Sequence, residues 1–266
     1  MPIFNKWIRF KIIILFLFSS IPSQSLELKR VILATDENPF YIEFWPIVAK
    51  TWSAMGFRPT LALISDHDCV DSTIGDVVRF DPIPGFSTAM QAQVYRLFLP
   101  ALFPEDGCII SDIDMIPISK DYFVENAHPC SESAFLIYRD SAIPSEYQEY
   151  PMCYIAAKGK LFGSIFRINS ETDFIDRLRE CRVFHDGFNT DQVILYCWAN
   201  QWRLGGGELV KLGHIVTHRL DRAEWKSWQS EEIDSAIDAH CPRPYSQYKS
   251  SIDFIVQEVL RKYPLQ

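Results

Sequence analysis

The sequence has little positive charge for its size. Its 26 lysines and arginines are outnumbered by 34 aspartates and glutamates, which gives a formal net charge of −8. This balance gives no support to nucleic-acid binding, because proteins of that class usually carry a basic surface. An acidic chain of this kind is better suited to meet an anionic substrate through a bound cation than through a lysine-rich surface.

The chain also lacks internal repeats, low-complexity tracts and an obvious linker. Apolar residues make up 48% of it and aromatic residues 14%, so we expect a packed core rather than disorder. Two full domains would be cramped in 266 residues. We therefore predict a single domain over residues 29–266, preceded by a leader at residues 1–25.

The apolar run near the N-terminus falls short of the roughly 20 residues needed to cross a bilayer. Lys6, Arg9 and Lys11 precede apolar residues 12–18, and small polar residues follow. This order is typical of a secretory signal peptide, which flanking apolar residues could extend into a short signal anchor. We expect a protein of the secretory pathway or one tethered to a membrane at its N-terminus. A cytoplasmic location is the alternative if the leader is not functional.

Three other patterns carry little chemistry. The seven cysteines include no CxxC pair, and their odd number excludes complete pairing within the chain, although a lumenal location would permit one or two disulfides. The run Gly205-Gly206-Gly207 lacks the lysine and the strand-before, helix-after setting of a phosphate-binding loop, so we expect a flexible turn. The tryptophans at 198, 202, 225 and 228 could stack on an acceptor sugar, but contacts in the core or with a partner explain them better.

Hydrophobic patterning indicates alternating strands and helices in the first half of the chain. Apolar runs predict strands at residues 31–35, 60–64, 77–80 and 108–111. Helical spacing follows at residues 39–56 and 87–103, the second helix being capped by Ser87. The second half is less regular, with strands expected at 133–138, 153–157, 209–212 and 215–218 and helices at 160–168, 172–181, 190–198 and 250–262. This order predicts an α/β fold with a doubly wound, mostly parallel sheet.

A pair of aspartates ends the most apolar of these strands. Asp112 and Asp114 follow residues 108–111, and ligands of open α/β sheets bind outside the carboxyl ends of strands. Residues spaced by two point to the same side of a strand, so both carboxylates could share one Mg²⁺ or Mn²⁺ ion. Such an ion could stabilise a diphosphate leaving group. The similar Asp66-His67-Asp68 lies in a polar loop, and we interpret it as a solvated loop.

The segment before this pair resembles a known family. The helix containing Tyr95-Arg96-Leu97, followed by the apolar strand and Asp112-Ile113-Asp114, is similar to glycosyltransferases of the A-type fold (GT-A). The first strand, ending in Ala34-Thr35-Asp36, resembles their nucleotide-binding strand. The nearest likeness is to the small glycosyltransferase domain of algal-virus glycan enzymes. The resemblance spans roughly residues 29–225 and is strongest between residues 87 and 118.

The resemblance implies a function and a set of site residues. It implies metal-dependent transfer of a sugar from a nucleotide-diphosphate sugar, in the first instance a UDP-sugar, to a hydroxyl group of a glycan or another acceptor. Asp112 and Asp114 would bind Mn²⁺ or Mg²⁺. The residues implied to contact the donor are Ala34, Thr35, Asp36, Arg96, Ser111, Asp112 and Ile113.

The family usually completes its metal site with a histidine late in the domain. His218 fits that pattern better than His214, which faces the same side of a predicted strand. An acidic residue near the acceptor is also implied, and Asp191, in the first turn of a helix, is the candidate, with Asp186 as the alternative. Asp191 would be the general base of an inverting enzyme or would position the sugar in a retaining one.

Two other functions remain open at this point. A haloacid-dehalogenase-like phosphatase also uses a strand that ends in two spaced aspartates, the first being a covalent nucleophile. Such enzymes usually place that motif near the start of the domain, whereas here three predicted strands precede it. A catalytically inactive, sugar-binding relative is the second alternative.

Overall fold

The computed structural model describes residues 24–215 and 218–265 of the chain. The predicted leader therefore lies outside the described residues, apart from its last two positions. Within the described ranges, no helix combines the length and the apolar character needed to cross a membrane.

The strands lie mostly in the first two thirds of the chain. They are β1 (Leu28–Asp36), β2 (Arg58–Ile64), β3 (Asp76–Phe80), β4 (Gly107–Ile110), β5 (Met115–Pro117), β6 (Ala134–Ile137), β7 (Ile155–Lys158), β8 (Glu208–Lys211), β9 (Arg219–Asp221) and β10 (Asp238–His240). The helices are α1 (Pro39–Ile42), α2 (Trp45–Ala54), α3 (Thr88–Phe98), α4 (Lys120–Ala127), α5 (Gly159–Phe166), α6 (Phe174–Phe184), α7 (Thr190–Leu204), α8 (Ser230–Ser235) and α9 (Tyr245–Lys262).

Seven strands form the central sheet, in the order β3-β2-β1-β4-β7-β6-β8. Strand β7 pairs antiparallel with both neighbours, and the other neighbouring pairs are parallel. The predicted α/β fold with a mostly parallel central sheet is therefore confirmed. A small second sheet, in the order β5-β10-β9, follows directly after the Asp112–Asp114 turn.

Two hydrophobic clusters lie on the two faces of the central sheet. Val31 and Leu33 belong to one cluster, whereas Ile32, between them, belongs to the other. This division follows from the strand geometry, because successive side chains point to opposite faces. Helices α2 and α9 cover the first face, and α3, α5, α6 and α7 cover the second. Burial on both faces explains why the predicted strands are continuously apolar.

Local sequence signals determine the helix that faces the Asp112–Asp114 turn. The side chain of Ser87 accepts a hydrogen bond from the backbone N–H of Met90 at 3.2 Å, so Ser87 is the N-cap of α3, as predicted. Helix α3 ends at Phe98 and continues as a 3₁₀ turn to Leu102. Its buried apolar face packs on the sheet, and Arg96 lines the cavity described below.

Several predicted boundaries differ from the structure. The helix predicted over residues 39–56 is divided into α1 and α2, with a proline near the beginning of each. The strand predicted at residues 215–218 is replaced by β9, which begins at Arg219, and residues 216–217 lie outside the described residues. The glycine run forms the predicted turn after α7, where a side chain at Gly207 would overlap the ring of Trp202. All seven cysteines are unpaired.

Candidate functional site

A cavity of about 650 Å³ opens at the carboxyl ends of β1 and β4, between α3, the start of α7 and the loop after β10. Seven of the predicted donor- and metal-binding residues, together with the predicted acceptor-side residue Asp191, line it. They are Ala34, Thr35, Asp36, Arg96, Asp112, Ile113, Asp114 and Asp191. The position agrees with the rule that ligands of open α/β sheets bind at the carboxyl ends of the strands.

Arg96 joins two carboxylates at the centre of this cavity. Its guanidinium donates hydrogen bonds to Asp112 Oδ1 and, through two nitrogens, to Asp191 Oδ2, with the Nε–Oδ2 bond at 3.2 Å. The side chains are 12% exposed for Arg96, 29% for Asp112 and 1% for Asp191. The three residues come from α3, from the end of β4 and from the first turn of α7, so this network ties three separate elements together.

Burial and the charge of Arg96 have opposing effects on the pKa values of Asp112 and Asp191. Burial disfavours ionisation of Asp112, but the positive charge of Arg96 and its hydrogen bond outweigh it, and the pKa of Asp112 is lowered. For Asp191, burial is the larger effect and raises the pKa despite the attraction of Arg96. Burial followed by the nearby negative charge of Asp112 raises the pKa of Asp114 to about 6.

Asp114 lies among cationic side chains that sequence reasoning missed. Its Oδ2 accepts a hydrogen bond from Arg222 Nη1 at 3.1 Å and lies 3.4 Å from Arg243 Nε. The same oxygen is 3.8 Å from His240 Nε2. Arg243 also lies over the ring of Tyr41, with its guanidinium carbon 4.5 Å from the ring centroid. The side chains that line the cavity here, besides Asp114, are Tyr41, Arg222, His240 and Arg243.

His240 reaches Asp114 through the small sheet. Strand β10 pairs antiparallel with β5, placing His240 opposite Met115, the residue that follows Asp114. The backbone N–H of Cys241 donates to the carbonyl of Asp114 at 2.9 Å and closes this contact. Strand β10 has only three residues and one apolar side chain between two polar ones, so it carries little hydrophobic pattern of its own. The cis Arg243–Pro244 peptide follows at once, and Pro242 and Pro244 were the available signal of an irregular segment before α9.

The structure does not bring the two histidines chosen from the sequence into the cavity. His218 is exposed and has a positive φ of 57°, and its carbonyl accepts a hydrogen bond from the N–H of Ile237. His214 lies beside Tyr122, with its Nδ1 3.1 Å from the phenol oxygen. Among the described histidines, His240 is the one that lines the cavity.

The first strand presents an oriented carboxylate to the cavity. Asp36 Oδ2 accepts a hydrogen bond from Thr88 Oγ1 at 2.7 Å, and Oδ1 accepts one from the N–H of Asn38 at 3.1 Å. Asn38 itself lines the cavity. Ser111, predicted to contact the donor, is fully buried behind it, with its hydroxyl 3.2 Å from the carbonyl oxygen of Asp112.

Two further predictions concern acidic residues near this edge of the sheet. Asp186, the alternative to Asp191, is exposed but also lines the cavity. The side chains of Asp66 and Asp68 are 79% and 97% exposed in the loop after β2, and neither lines the cavity. This agrees with the interpretation of Asp66-His67-Asp68 as a solvated loop.

The residues around Asp114 suit a divalent cation in their chemistry, although the ligand atoms of Asp112, Asp114 and His240 do not all lie within 4.8 Å of one another. Two carboxylates and an imidazole are common ligands of such ions, and the repulsion between Asp112 and Asp114 is the kind that a cation relieves. As they stand, Arg96 binds Asp112 and Arg222 binds Asp114. A cation would therefore take the place of arginine contacts at this site.

No family model and no curated protein matches the chain. Solved structures do match it. The glycosyltransferase GlyE of Streptococcus pneumoniae aligns with a TM-score of 0.51 at 15% identity, over 90% of this chain and 66% of GlyE. The galactosyltransferase LgtC, solved with donor and acceptor sugar analogues, aligns with a TM-score of 0.49 at 10% identity, over 86% of this chain and 95% of LgtC. The bifunctional glycosyltransferase WbbM aligns with a TM-score of 0.49 at 12% identity, over 91% of this chain and 52% of WbbM.

At these identities the similarity shows the fold and nothing beyond it. The fold assignment is based on GlyE, because the TM-score for GlyE is the highest of the three. The chain thus has the fold found in GT-A glycosyltransferases, and its cavity lies at the carboxyl ends of the strands of that fold.

Proposed function

We propose that this chain is a metal-dependent glycosyltransferase that moves a sugar from a nucleotide-diphosphate sugar to a hydroxyl acceptor. The observation that carries the proposal is the convergence of Asp112, Arg96 and Asp191 in a cavity of about 650 Å³, a volume suited to a small-molecule ligand. The fold shared with GlyE supports it.

The nucleoside would bind at the β1 end of the cavity. Ala34, Thr35 and Asp36 line that end, and the two hydrogen bonds to Asp36 hold its carboxylate in place there. The ring of Tyr41 offers an aromatic surface in the same part of the cavity. A UDP-sugar is the donor we propose.

The diphosphate would lie beside Asp114. The side chains that we propose as ligands of Mn²⁺ or Mg²⁺ are Asp112, Asp114 and His240, with His240 in place of His218. The bound ion would supply Lewis-acid stabilisation of the leaving diphosphate. Arg222 and Arg243, whose guanidinium groups lie within 3.4 Å of Asp114 Oδ2, would bind the phosphate oxygens.

Asp191 would act on the sugar side of the cavity. Its Oδ2 accepts from Arg96 and its Oδ1 accepts from the N–H of Gln192 at 2.9 Å, so both oxygens already have partners. With 1% of its side chain exposed, the carboxylate is poorly placed to take a proton from an acceptor. This geometry favours a positioning role, which is the role expected in a retaining enzyme, over that of a general base.

The same geometry bears on the phosphatase alternative. A covalent nucleophile needs a free carboxylate oxygen facing the substrate, and because Arg96 binds Oδ1 of Asp112, Oδ2 is the oxygen that would have to attack. The motif also follows the fourth strand of this chain rather than the first. Glycosyl transfer therefore accounts for the arrangement better than phosphate-ester hydrolysis does.

A donor screen tests the proposal. Nucleotide-sugars would be screened by Mn²⁺-dependent thermal shift, and the donors that stabilise the protein would be assayed for turnover with and without acceptor. Asp114→Asn should weaken the Lewis-acid stabilisation of the transition state by a few kcal/mol. We therefore expect it to lower kcat at least about 100-fold. Asp68→Asn, in the solvated loop, is the matched control and should retain activity.

Two outcomes would contradict the proposal. Cleavage of phosphate monoesters without turnover of any nucleotide-sugar would identify a phosphatase. A thermal shift with a nucleotide-sugar that never leads to hydrolysis or transfer would instead identify an inactive, sugar-binding relative.

A further inference from the structure

A second group of metal-ligating side chains lies outside the cavity. The ligand atoms of Glu37, His67 and Cys69 all lie within 4.8 Å of one another, and Nδ1 of His67 is 3.4 Å from Oε1 of Glu37. Among the described residues, this is the one group of three histidine, cysteine or acidic side chains that converges so closely. In the motif Asp66-His67-Asp68, the histidine thus groups with Glu37 and Cys69 and not with the two aspartates.

The strand pairing explains why these residues meet. Strands β1 and β2 are parallel neighbours, and Asp36 lies opposite Ile64 at their carboxyl ends. The chain therefore leaves both strands at the same edge of the sheet, and Glu37 emerges next to Ser65. The three ligating side chains follow within five positions of those two strand ends.

A single buried serine contacts all three residues. Ser65 is fully buried, and its Oγ lies 2.6 Å from Oε1 of Glu37 and 3.7 Å from Sγ of Cys69. The same oxygen accepts a hydrogen bond from the backbone N–H of His67 at 3.1 Å. Ser65 therefore orients the side chains of Glu37 and Cys69, as residues behind the ligands regularly do in metal sites, and it holds the backbone of His67. This contact is independent of the mutual distances of the three ligands.

We propose that Glu37, His67 and Cys69 bind Zn²⁺, with water in the fourth position. Ligand atoms about 2.0–2.2 Å from a tetrahedral zinc ion lie about 3.3–3.6 Å apart, and the His67–Glu37 separation of 3.4 Å falls in this range. A thiolate and an imidazole select zinc over Mg²⁺ or Ca²⁺, which prefer oxygen ligands. The site is therefore chemically distinct from the carboxylate pair Asp112 and Asp114.

Binding requires two local changes. The thiol of Cys69 must release its proton to solvent as it becomes a thiolate ligand. Nδ1 of His67 lies 2.8 Å from Oδ1 of Asp66, and it must exchange that hydrogen bond for the metal. All three ligands are exposed, so the ion has an open entry path and the exchange needs no movement of the core.

Zinc at this position would link two loops at the rim of the cavity. Glu37 lies between Asp36 and Asn38, which line the cavity, while His67 and Cys69 belong to the loop after β2. Occupancy would tie that outer loop to the segment proposed to hold the nucleoside. The zinc site itself does not depend on the proposed sugar transfer, so either could fail without the other.

The test is a titration of the full chain with Zn²⁺ under reducing conditions, after removal of metal with a chelator and without nucleotide. We expect one thiolate-bound Zn²⁺ per chain, beyond any ion held at Asp112 and Asp114, and, with Co²⁺ as a spectroscopic substitute, a thiolate-to-cobalt charge-transfer band. Cys69→Ser and His67→Ala should each weaken zinc binding at least about 100-fold, since even residues behind the ligands often contribute 10–100-fold. Both positions are exposed, so the variants should melt at the temperature of the metal-free wild type.

Two controls separate this site from others. Cys197→Ser removes a half-buried thiol on α7, away from the three ligands in sequence, and should leave zinc affinity unchanged. The double variant Asp112→Asn, Asp114→Asn should also retain the zinc and the cobalt band. A cobalt band that survives Cys69→Ser, a wild type without the cobalt band, or loss of that band in the aspartate double variant would each overturn the proposal.

Discussion

Arg96 is the residue whose removal should damage the site and the fold together. Arg96→Met keeps most of the apolar stem but removes the charge that Asp112 and Asp191 share. Because the side chain of Asp191 is 1% exposed, its charge cannot be taken up by water when the guanidinium is lost. Removing one partner of a buried ion pair usually costs about 3–5 kcal/mol. We expect a loss of about 3–4 kcal/mol here, since Asp112 is 29% exposed and recovers some hydration.

A double-mutant cycle separates the charge from the packing. Asp191→Asn alone leaves Arg96 with Asp112 as a partner and should cost about 1–3 kcal/mol. In the double variant no uncompensated charge remains at Asp191, so its loss should be smaller than the sum of the two single losses by about 1–3 kcal/mol. Arg79→Met is the matched control, because Arg79 and Asp68 form an exposed pair at 3.6 Å, and it should change stability by no more than about 0.5 kcal/mol.

Urea unfolding at neutral pH, without metal or nucleotide, measures these differences. The free energies of unfolding would be compared between variants whose free energy falls with urea concentration at the same slope. A change in compactness is then not mistaken for a change in stability. A loss below about 1 kcal/mol for Arg96→Met, or strictly additive losses in the cycle, would refute the reasoning. Either result would mean that water, and not Arg96, compensates the charge of Asp191.

Three further outcomes follow from the same geometry. His240→Ala should weaken Mn²⁺ binding and lower kcat by about 10–100-fold or more. The control His218→Ala should change both quantities less than about twofold. The reverse result in a metal titration would restore His218 as the ligand. Gly107→Ala should destabilise the protein by about 1–3 kcal/mol or more, because an added Cβ would lie 2.0 Å from the carbonyl oxygen of Glu27, and an unchanged melting temperature would contradict this. Nucleotide diphosphate should tighten Mn²⁺ binding, measured by calorimetry, and Arg222→Ala should reduce this coupling; independent binding of the two would exclude a shared site.

The residues that could be predicted from the sequence are those fixed by strong local patterns. The strand leading to Asp112 is continuously apolar, and Ser87 begins α3 at a recognisable cap, so the positions of Asp112 and Arg96 at the sheet edge follow from local signals. Asp191 lies in the cavity because α7 begins at Thr190, and the sequence predicts a helix that begins at this residue. For these elements, local propensity and the tertiary fold agree.

The residues that were missed depend on pairing between distant segments. His240 lies on a three-residue strand that exists only because β5 and β9 pair with it. His218 was chosen because it fits the family's pattern of a late histidine better than His214 does, and the strand expected over residues 215–218 begins instead at Arg219. Arg222 and Arg243 follow the ends of this small sheet, and without its topology nothing in their neighbouring residues indicates a common partner.

The surroundings of Asp114 suggest how the free and the loaded site would share the same residues. Without ligand, Arg222 and Arg243 lie against the carboxylate, although burial and Asp112 still raise its pKa to about 6. A donor brings negative phosphates and a cation brings positive charge, so the arginines can turn to the phosphates while the carboxylate turns to the cation. Each group then exchanges one charged partner for another and none is left unpaired. Because neither ligand alone achieves this exchange without leaving a charge uncompensated, the cation and the diphosphate should bind together.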